Sequence, residues 1–307
     1  MFRLALDNLC STQETRHMPP IQTYLLDPST PRLALPVGAC DTHVHVFGPA
    51  TRFPFWPESA LVPADATKET LFALHAKLGV QRCVIVQSLM HGFDNSVVED
   101  AIAAGGGRYL GVALVRPDVS DAELTRLAGA GIRGVRFNFM KHLGASASIE
   151  EVIEFTRRLA PFGLHLQVHF ESSLIHALAA PLARSAVPVV IDHMGRVDAT
   201  LGATGADFVA LHAALENPLF RVKVSGIDRV SPFAARADYA PGIALARKLV
   251  EDFPTRCFWG TDWPHPNHSH APDDGELVDA LALIAPDEEL RRQLLVDNPQ
   301  QFYRFDA

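Results

Sequence analysis

Cys40-Asp41-Thr42-His43-Val44-His45-Val46-Phe47-Gly48-Pro49 alternates apolar and polar residues and stops at a Gly-Pro breaker. Alternation of period two marks a strand, and residues two apart on a strand face the same way. His43 and His45 are therefore expected side by side near the C-terminal end of a first strand. Such a pair serves as general acid and base, as metal ligands, or as two polar residues on a solvated face. The rest of the chain decides among these.

Outward from this stretch, short β-branched runs alternate with amphipathic ones. Strands are expected over 41–47, 82–87, 109–115, 134–139, 165–170, 187–192, 220–225 and 257–261, eight in all. Helical spacing of apolar residues lies between them, over 68–78, 121–127, 149–159, 173–182, 208–215 and 243–250. Continuous apolar strands separated by crossover helices predict a parallel sheet covered on both faces. Eight strand-helix units within 307 residues predict an α/β fold, one closed (β/α)8 TIM barrel. The barrel is expected to form a single domain, 37–307, behind an N-terminal extension, 1–36. An open doubly wound sheet lacks its usual mark, a G-x-G-x-x-G after the first strand. Segments 276–284 and 287–295 read as closing helices, followed by an aromatic tail, Phe302-Tyr303, that packs on the barrel.

Composition narrows the partners. A net charge of −8 argues against a nucleic-acid or anionic-membrane surface. Cys10, Cys40, Cys83 and Cys257 have no C-x-x-C spacing, which predicts buried free thiols in a reducing compartment. No apolar run is long enough to span a bilayer, and the N-terminus lacks a signal-peptide pattern, so a cytoplasmic monomer or homodimer is expected.

In a parallel barrel the C-terminal strand ends form the active-site face. The first strand brings His43 and His45 there, and the second leads to Gln87, His91 and Asn95. The fourth carries Arg136 and Asn138, and the fifth Gln167 and His169. The sixth ends Asp192-His193-Met194-Gly195-Arg196. The seventh leads to Lys223, Ser225, Asp228 and Arg229, and the eighth to Asp262, His265 and Asn267. Any one of these can cap a strand or sit in a structural ion pair; convergence on one cavity is what a site requires. A carboxylate among imidazoles can take a proton from water while imidazoles or arginines polarise a carbonyl. The same His43, His45, His193 and Asp262 are legitimate ligands for one divalent ion. The residues themselves leave both open.

The motifs DTHVHVFGP, VIVQ with HG and DN beyond it, GVRFNF, VIDHMGR and WGTDWPHPN together resemble the amidohydrolase superfamily, and within it the 2-pyrone-4,6-dicarboxylate lactonase branch. The resemblance spans residues 36–303. It implies a hydrolase that opens the ring of a small anionic lactone from aromatic-compound breakdown, 2-pyrone-4,6-dicarboxylate or a close analogue. Alternatives within the resemblance are a sulfomuconolactone or sugar-acid lactone hydrolase and a zinc-dependent decarboxylase. No cofactor is required on this reading, because strand four carries no lysine for a binuclear centre; one zinc or manganese ion on His43, His45, His193 and Asp262 is the other option. The resemblance makes Asp262 the base that activates water and His43, His45 and His193 the groups that bind and polarise the carbonyl. Arg136 and Arg229 anchor carboxylates, with Gln87, His91, Asn138, His169 and His265 as further substrate contacts. Three positions depart from the branch: His142 stands for an Arg, and His169 and Leu61 each stand for a Tyr. The loop 53–63, with Trp56, is read as a lid.

Overall fold

The computed structural model describes residues 21–59, 62–140, 147–231, 238–266 and 270–305. Its strands are β1 (Cys40–Val44), β2 (Arg82–Val86), β3 (Tyr109–Ala113), β4 (Ile132–Phe139), β5 (His165–Phe170), β6 (Val189–Ile191), β7 (Phe220–Lys223) and β8 (Cys257–Phe258). Each pairs in parallel with the next, in the order β1 to β8. The ring closes without a regular ladder: Thr42 N donates to Trp259 O (2.9 Å) and Asp262 N to His43 O (2.8 Å). Gly260 permits that closure, since a Cβ there would lie 2.7 Å from His43 N. The expected (β/α)8 barrel is present.

Helices α1 (Lys68–Leu78), α2 (Ser96–Ala104), α3 (Asp121–Gly129), α4 (Ile149–Leu159), α5 (Ile175–Leu182) and α6 (Ala206–Leu215) follow strands β1 to β6 in turn, and α7 (Ile227–Val230) and α8 (Ala240–Asp252) both lie between β7 and β8. The helix α4 shows why these segments form. Ser148 and Glu151 make a reciprocal capping box, and Val152, Phe155, Thr156 and Leu159 bury one stripe against the sheet. Among the described residues no helix is long and apolar enough to cross a membrane. Cys40, Cys83 and Cys257 are buried free thiols, as expected; Cys10 lies outside the described residues.

Several strands are shorter than the sequence suggested, and they stop early at the C-terminal end. The chain leaves β1 at Val44, and His45 N bonds instead to Trp263 O (2.7 Å). The strand ends thereby peel away from the ladder and become loops around a mouth. The closing segments also differ. Asp273 accepts a bond from Gly275 N, so the first starts early as α9 (Asp274–Asp279) and continues as α10 (Leu281–Ile284). The second becomes α11 (Glu288–Arg292), a π-turn over Gln293–Asp297, and α12 (Asn298–Tyr303). Tyr303 then plugs the N-terminal end of the barrel, its ring 5.3 Å from Phe258 and 5.5 Å from His165. One end is shut by aromatic packing, which leaves the other for chemistry.

Residues 21–36 run as a strap against the barrel. Thr23 Oγ1 donates to Pro264 O, and Tyr24 packs edge-on against Trp263 at 5.0 Å. Further along, Arg32 Nε donates to Asp279 Oδ2 at 2.8 Å. It thus braces the loop that carries Asp262.

Candidate active site

At the open end lies a cavity of about 230 Å³, lined by His45, Ser88, Leu89, Met90, Arg136, Asn138, His169, His193, Arg196, Arg229, Asp262 and Pro266. At its floor Asp262 Oδ1 faces three imidazoles: His45 Nε2 at 3.4 Å, His43 Nε2 at 3.6 Å and His193 Nε2 at 3.8 Å. The other oxygen, Oδ2, accepts a bond from Arg229 Nε. The His43-x-His45 expectation is met in its consequence, although β1 ends between the two residues.

Local backbone aims these groups. Asp262 sits at φ 67°, and His193, Met194, Gly195 and Arg196 run at φ 49°, 52°, 62° and 55°. Consecutive left-handed residues other than glycine cost about 1–2 kcal/mol each, so the surrounding contacts must hold them. Strain of this kind gathers at functional sites. Asp41, buried beneath, accepts from His43 N (3.0 Å) and from Thr261 Oγ1 (2.6 Å), tying β1 to the segment that presents Asp262.

The charges are set by their neighbours. Burial raises the Asp262 carboxyl, but Arg229, then His193 and His45, outweigh it and hold the group well below the usual carboxylate value. Asp192 behaves alike: burial is outweighed by Arg136, His43 and Lys223, and Arg136 Nε donates to its Oδ2 at 2.8 Å. Burial, helped by Lys223, pushes His43 down to about 4, and burial also lowers His169 and His193. Lys223 is pushed down to about 8 by burial, with Asp192 opposing. With His169 and His193 held neutral, the cavity lining presents Arg136, Arg196 and Arg229 against the single carboxylate of Asp262. The net field favours an anion.

Not every expected residue reaches the cavity. Gln87 Nε2 turns to Gly92 O (3.3 Å) and Asp94 O (2.5 Å). His91 bonds Gly48 N (3.3 Å) and Pro54 O (3.1 Å). His265 is fully buried against Asp274 Oδ1 at 3.0 Å. All three make bonds within loops, and none of them is among the residues that line the cavity. Asn138 and His169 do line it, joined by a 3.3 Å bond from His169 Nδ1 to Asn138 Oδ1. In the loop read as a lid, Trp56 N donates to Met90 O (2.8 Å) and the Trp56 ring meets Phe93 edge-on at 6.1 Å. His142, Leu61 and Asn267 lie outside the described residues.

Arg196 is the residue the sequence reading did not single out. Arg136 is tied to Asp192 and Arg229 to Asp262, whereas Arg196 has no hydrogen bond or ion pair among the described residues and borders the cavity. Burial and then Arg229 lower its guanidinium. Its direction depends on the left-handed turn at 193–196, which no residue pattern announces.

Residues 40–305 match the amidohydrolase family. The chain belongs to that family. A 2-pyrone-4,6-dicarboxylate hydrolase from Comamonas testosteroni is 44% identical over 288 residues, covering 91% of this chain and 94% of that protein. A 4-sulfomuconolactone hydrolase from Hydrogenophaga intermedia is 38% identical over 279 residues, 89% of this chain and 90% of that one. The crystal structure of a probable 2-pyrone-4,6-dicarboxylic acid hydrolase from Acinetobacter baumannii, with citric acid bound, aligns with a TM-score of 0.77 at 25% identity. The alignment covers 88% of this chain and 100% of that one. This amidohydrolase is an enzyme of the hydrolase class.

Metal ions are common in the amidohydrolase family, and the donor set can be tested against one. Ligand atoms of His43, His193 and Asp262 lie within 4.8 Å of one another. Zinc–ligand bonds of about 2.0–2.2 Å in a tetrahedral site put neighbouring ligand atoms roughly 3.3 Å apart, somewhat less than the 3.6 and 3.8 Å from Asp262 Oδ1 to His43 and His193 Nε2. His45 Nδ1 donates to Val86 O at 2.7 Å, which leaves Nε2 as an acceptor facing the acceptor Asp262 Oδ1. Two acceptors in that relation need a proton, a water or a cation between them. The spacing therefore suits either a water to be activated or one divalent ion.

Proposed function

We propose that this amidohydrolase hydrolyses the ring ester of a small anionic lactone, with 2-pyrone-4,6-dicarboxylate or a near analogue as substrate. The observation that carries the reading is Asp262 Oδ1, ringed by three imidazole nitrogens in a cavity that also holds three arginines. Arg196, with the open sides of Arg136 and Arg229, binds the substrate carboxylates through paired N–H donors. Asn138 and His169 meet the remaining ring oxygens.

Water stands between Asp262 and His45. As its oxygen bonds to the lactone carbonyl carbon, Asp262 takes the proton, and the carbonyl oxygen gathers charge towards His43 and His193. Collapse then breaks the bond from that carbon to the ring oxygen. The proton on Asp262 passes to the departing oxygen, leaving a hydroxyl and an open-chain carboxylic acid, which loses its remaining proton to solvent as a carboxylate. Arg229 keeps Asp262 ionised and positioned at the start of each turnover. Were a single divalent ion bound, His43, His45, His193 and Asp262 would hold it, and it would supply Lewis acidity and a more acidic water.

A panel of lactones tests the reading. Ring opening of 2-pyrone-4,6-dicarboxylate or 4-sulfomuconolactone is expected with kcat/KM roughly 100-fold or more above that for uncharged 2-pyrone, the effect of charge-assisted anchoring. Equal rates on the uncharged ring, or no opening of either anionic lactone, would contradict it.

A further inference from the structure

Beneath the cavity floor, Lys223 is fully buried and its Nζ faces three acceptors. Thr42 O lies at 2.8 Å, Gln167 Oε1 at 3.0 Å and His43 Nδ1 at 3.2 Å. An ammonium has three N–H donors and no acceptor, so the set is complete. Asp192 Oδ1 is also 3.2 Å from His43 Nδ1 and 3.8 Å from Lys223 Nζ, so Nδ1 lies between an ammonium that can donate to it and a carboxylate that can accept from it. With Thr42 O and Gln167 Oε1 taking two of its N–H groups, the third has Nδ1 at 3.2 Å as its nearest acceptor, and this favours a bond from Lys223 over one from Nδ1 to Asp192.

That bond decides where His43 carries its proton. Nδ1 accepts, so the neutral ring is protonated on Nε2, the atom that faces Asp262 and the reaction side. His45, two residues along, is held the opposite way by Val86 O, with Nε2 as the acceptor. One imidazole can thus donate to a developing oxyanion while the other accepts from water. Ligation of a cation by His43 Nε2 needs the reverse, a lone pair at Nε2 and the proton on Nδ1, where the ammonium already points.

We propose that Lys223 is a positioning residue that locks His43 as an Nε2–H donor and, by the same bond, disfavours divalent-metal binding at a site whose ligand spacing would otherwise accept it. The inference rests on the lactone-opening reading for its purpose, though not for its geometry. It turns a donor set suited to a metal into one that polarises a carbonyl directly.

Histidine-labelled protein examined by ¹⁵N NMR provides the first test, with His43 assigned through the His43→Gln variant. The wild-type ring is expected to be protonated on Nε2; a proton on Nδ1 overturns the proposal. Calorimetric titration with zinc chloride provides the second. Lys223→Met is expected to bind zinc roughly 10- to 100-fold more tightly than wild type, the size of effect that partners behind a ligating histidine exert, and its His43 proton is expected to move to Nδ1, towards Asp192. Unchanged zinc affinity and tautomer in a folded variant would overturn it. Should the variant not fold, the wild-type tautomer still decides. Failure of the lactonase reading is separable, since it would show in the lactone panel without altering either measurement.

Discussion

Asp262→Asn is expected to lower kcat on the anionic lactone by about a thousandfold or more, the scale of a lost general base, with the fold retained. Asparagine keeps the shape, and its amide oxygen can still accept from Arg229 Nε. It cannot take a proton from water at the point where His43, His45 and His193 converge. Because Arg229 and the imidazoles outweigh burial and keep the carboxyl well below its usual value, the native base is ionised throughout the neutral range. Protonation of Asp262 should therefore cost activity only well below the ordinary carboxylate pKa, and the variant's deficit should be constant across neutral pH. Steady-state kinetics with a thermal-unfolding control checks this. A folded variant with kcat within tenfold of wild type would remove Asp262 from the role of base.

Arg196→Met is expected to raise KM for a carboxylated lactone by roughly 10- to 100-fold while kcat changes by only a few-fold. The magnitude follows from about 1.5–3 kcal/mol for hydrogen bonds to a charged group. Arg196 is the cleaner probe of anion binding, since Arg136 and Arg229 also hold Asp192 and Asp262 in place. Substitution of either would disturb the floor of the site as well as the substrate. An uncharged lactone should show no change in KM with Arg196→Met. An unchanged KM for the dicarboxylate would mean that its anion lies elsewhere.

The strands of the barrel were legible because both faces of a parallel sheet are buried, so runs such as Val84-Ile85-Val86 are apolar throughout. Their ends were not. Where β1 and β8 meet, the chain departs from ladder bonding and closes through Trp259, Asp262 and Trp263, and no period in the sequence marks that change. The same limit governs the site. His43, His45, His193 and Asp262 could be placed because strand order brings them to one mouth. Arg196 and His265 could not, because positive φ values at 193–196, 262 and 265 decide which way those loops turn their side chains. His265 in consequence faces Asp274 and Arg196 faces the cavity. Lys223 could be read as a strand-end lysine, but its meaning lies in three acceptors from two other strands, β1 and β5.

The central claim is that Asp262 and its imidazoles deliver water to a lactone carbonyl using the chain's own groups. It is tested most directly by turnover of 2-pyrone-4,6-dicarboxylate in ¹⁸O-labelled water, with protein stripped by a chelator and assayed for residual metal. The account predicts undiminished ring opening, with one label in the newly formed carboxylate. Loss of turnover on stripping that returns with zinc, or label in the new hydroxyl, would contradict it.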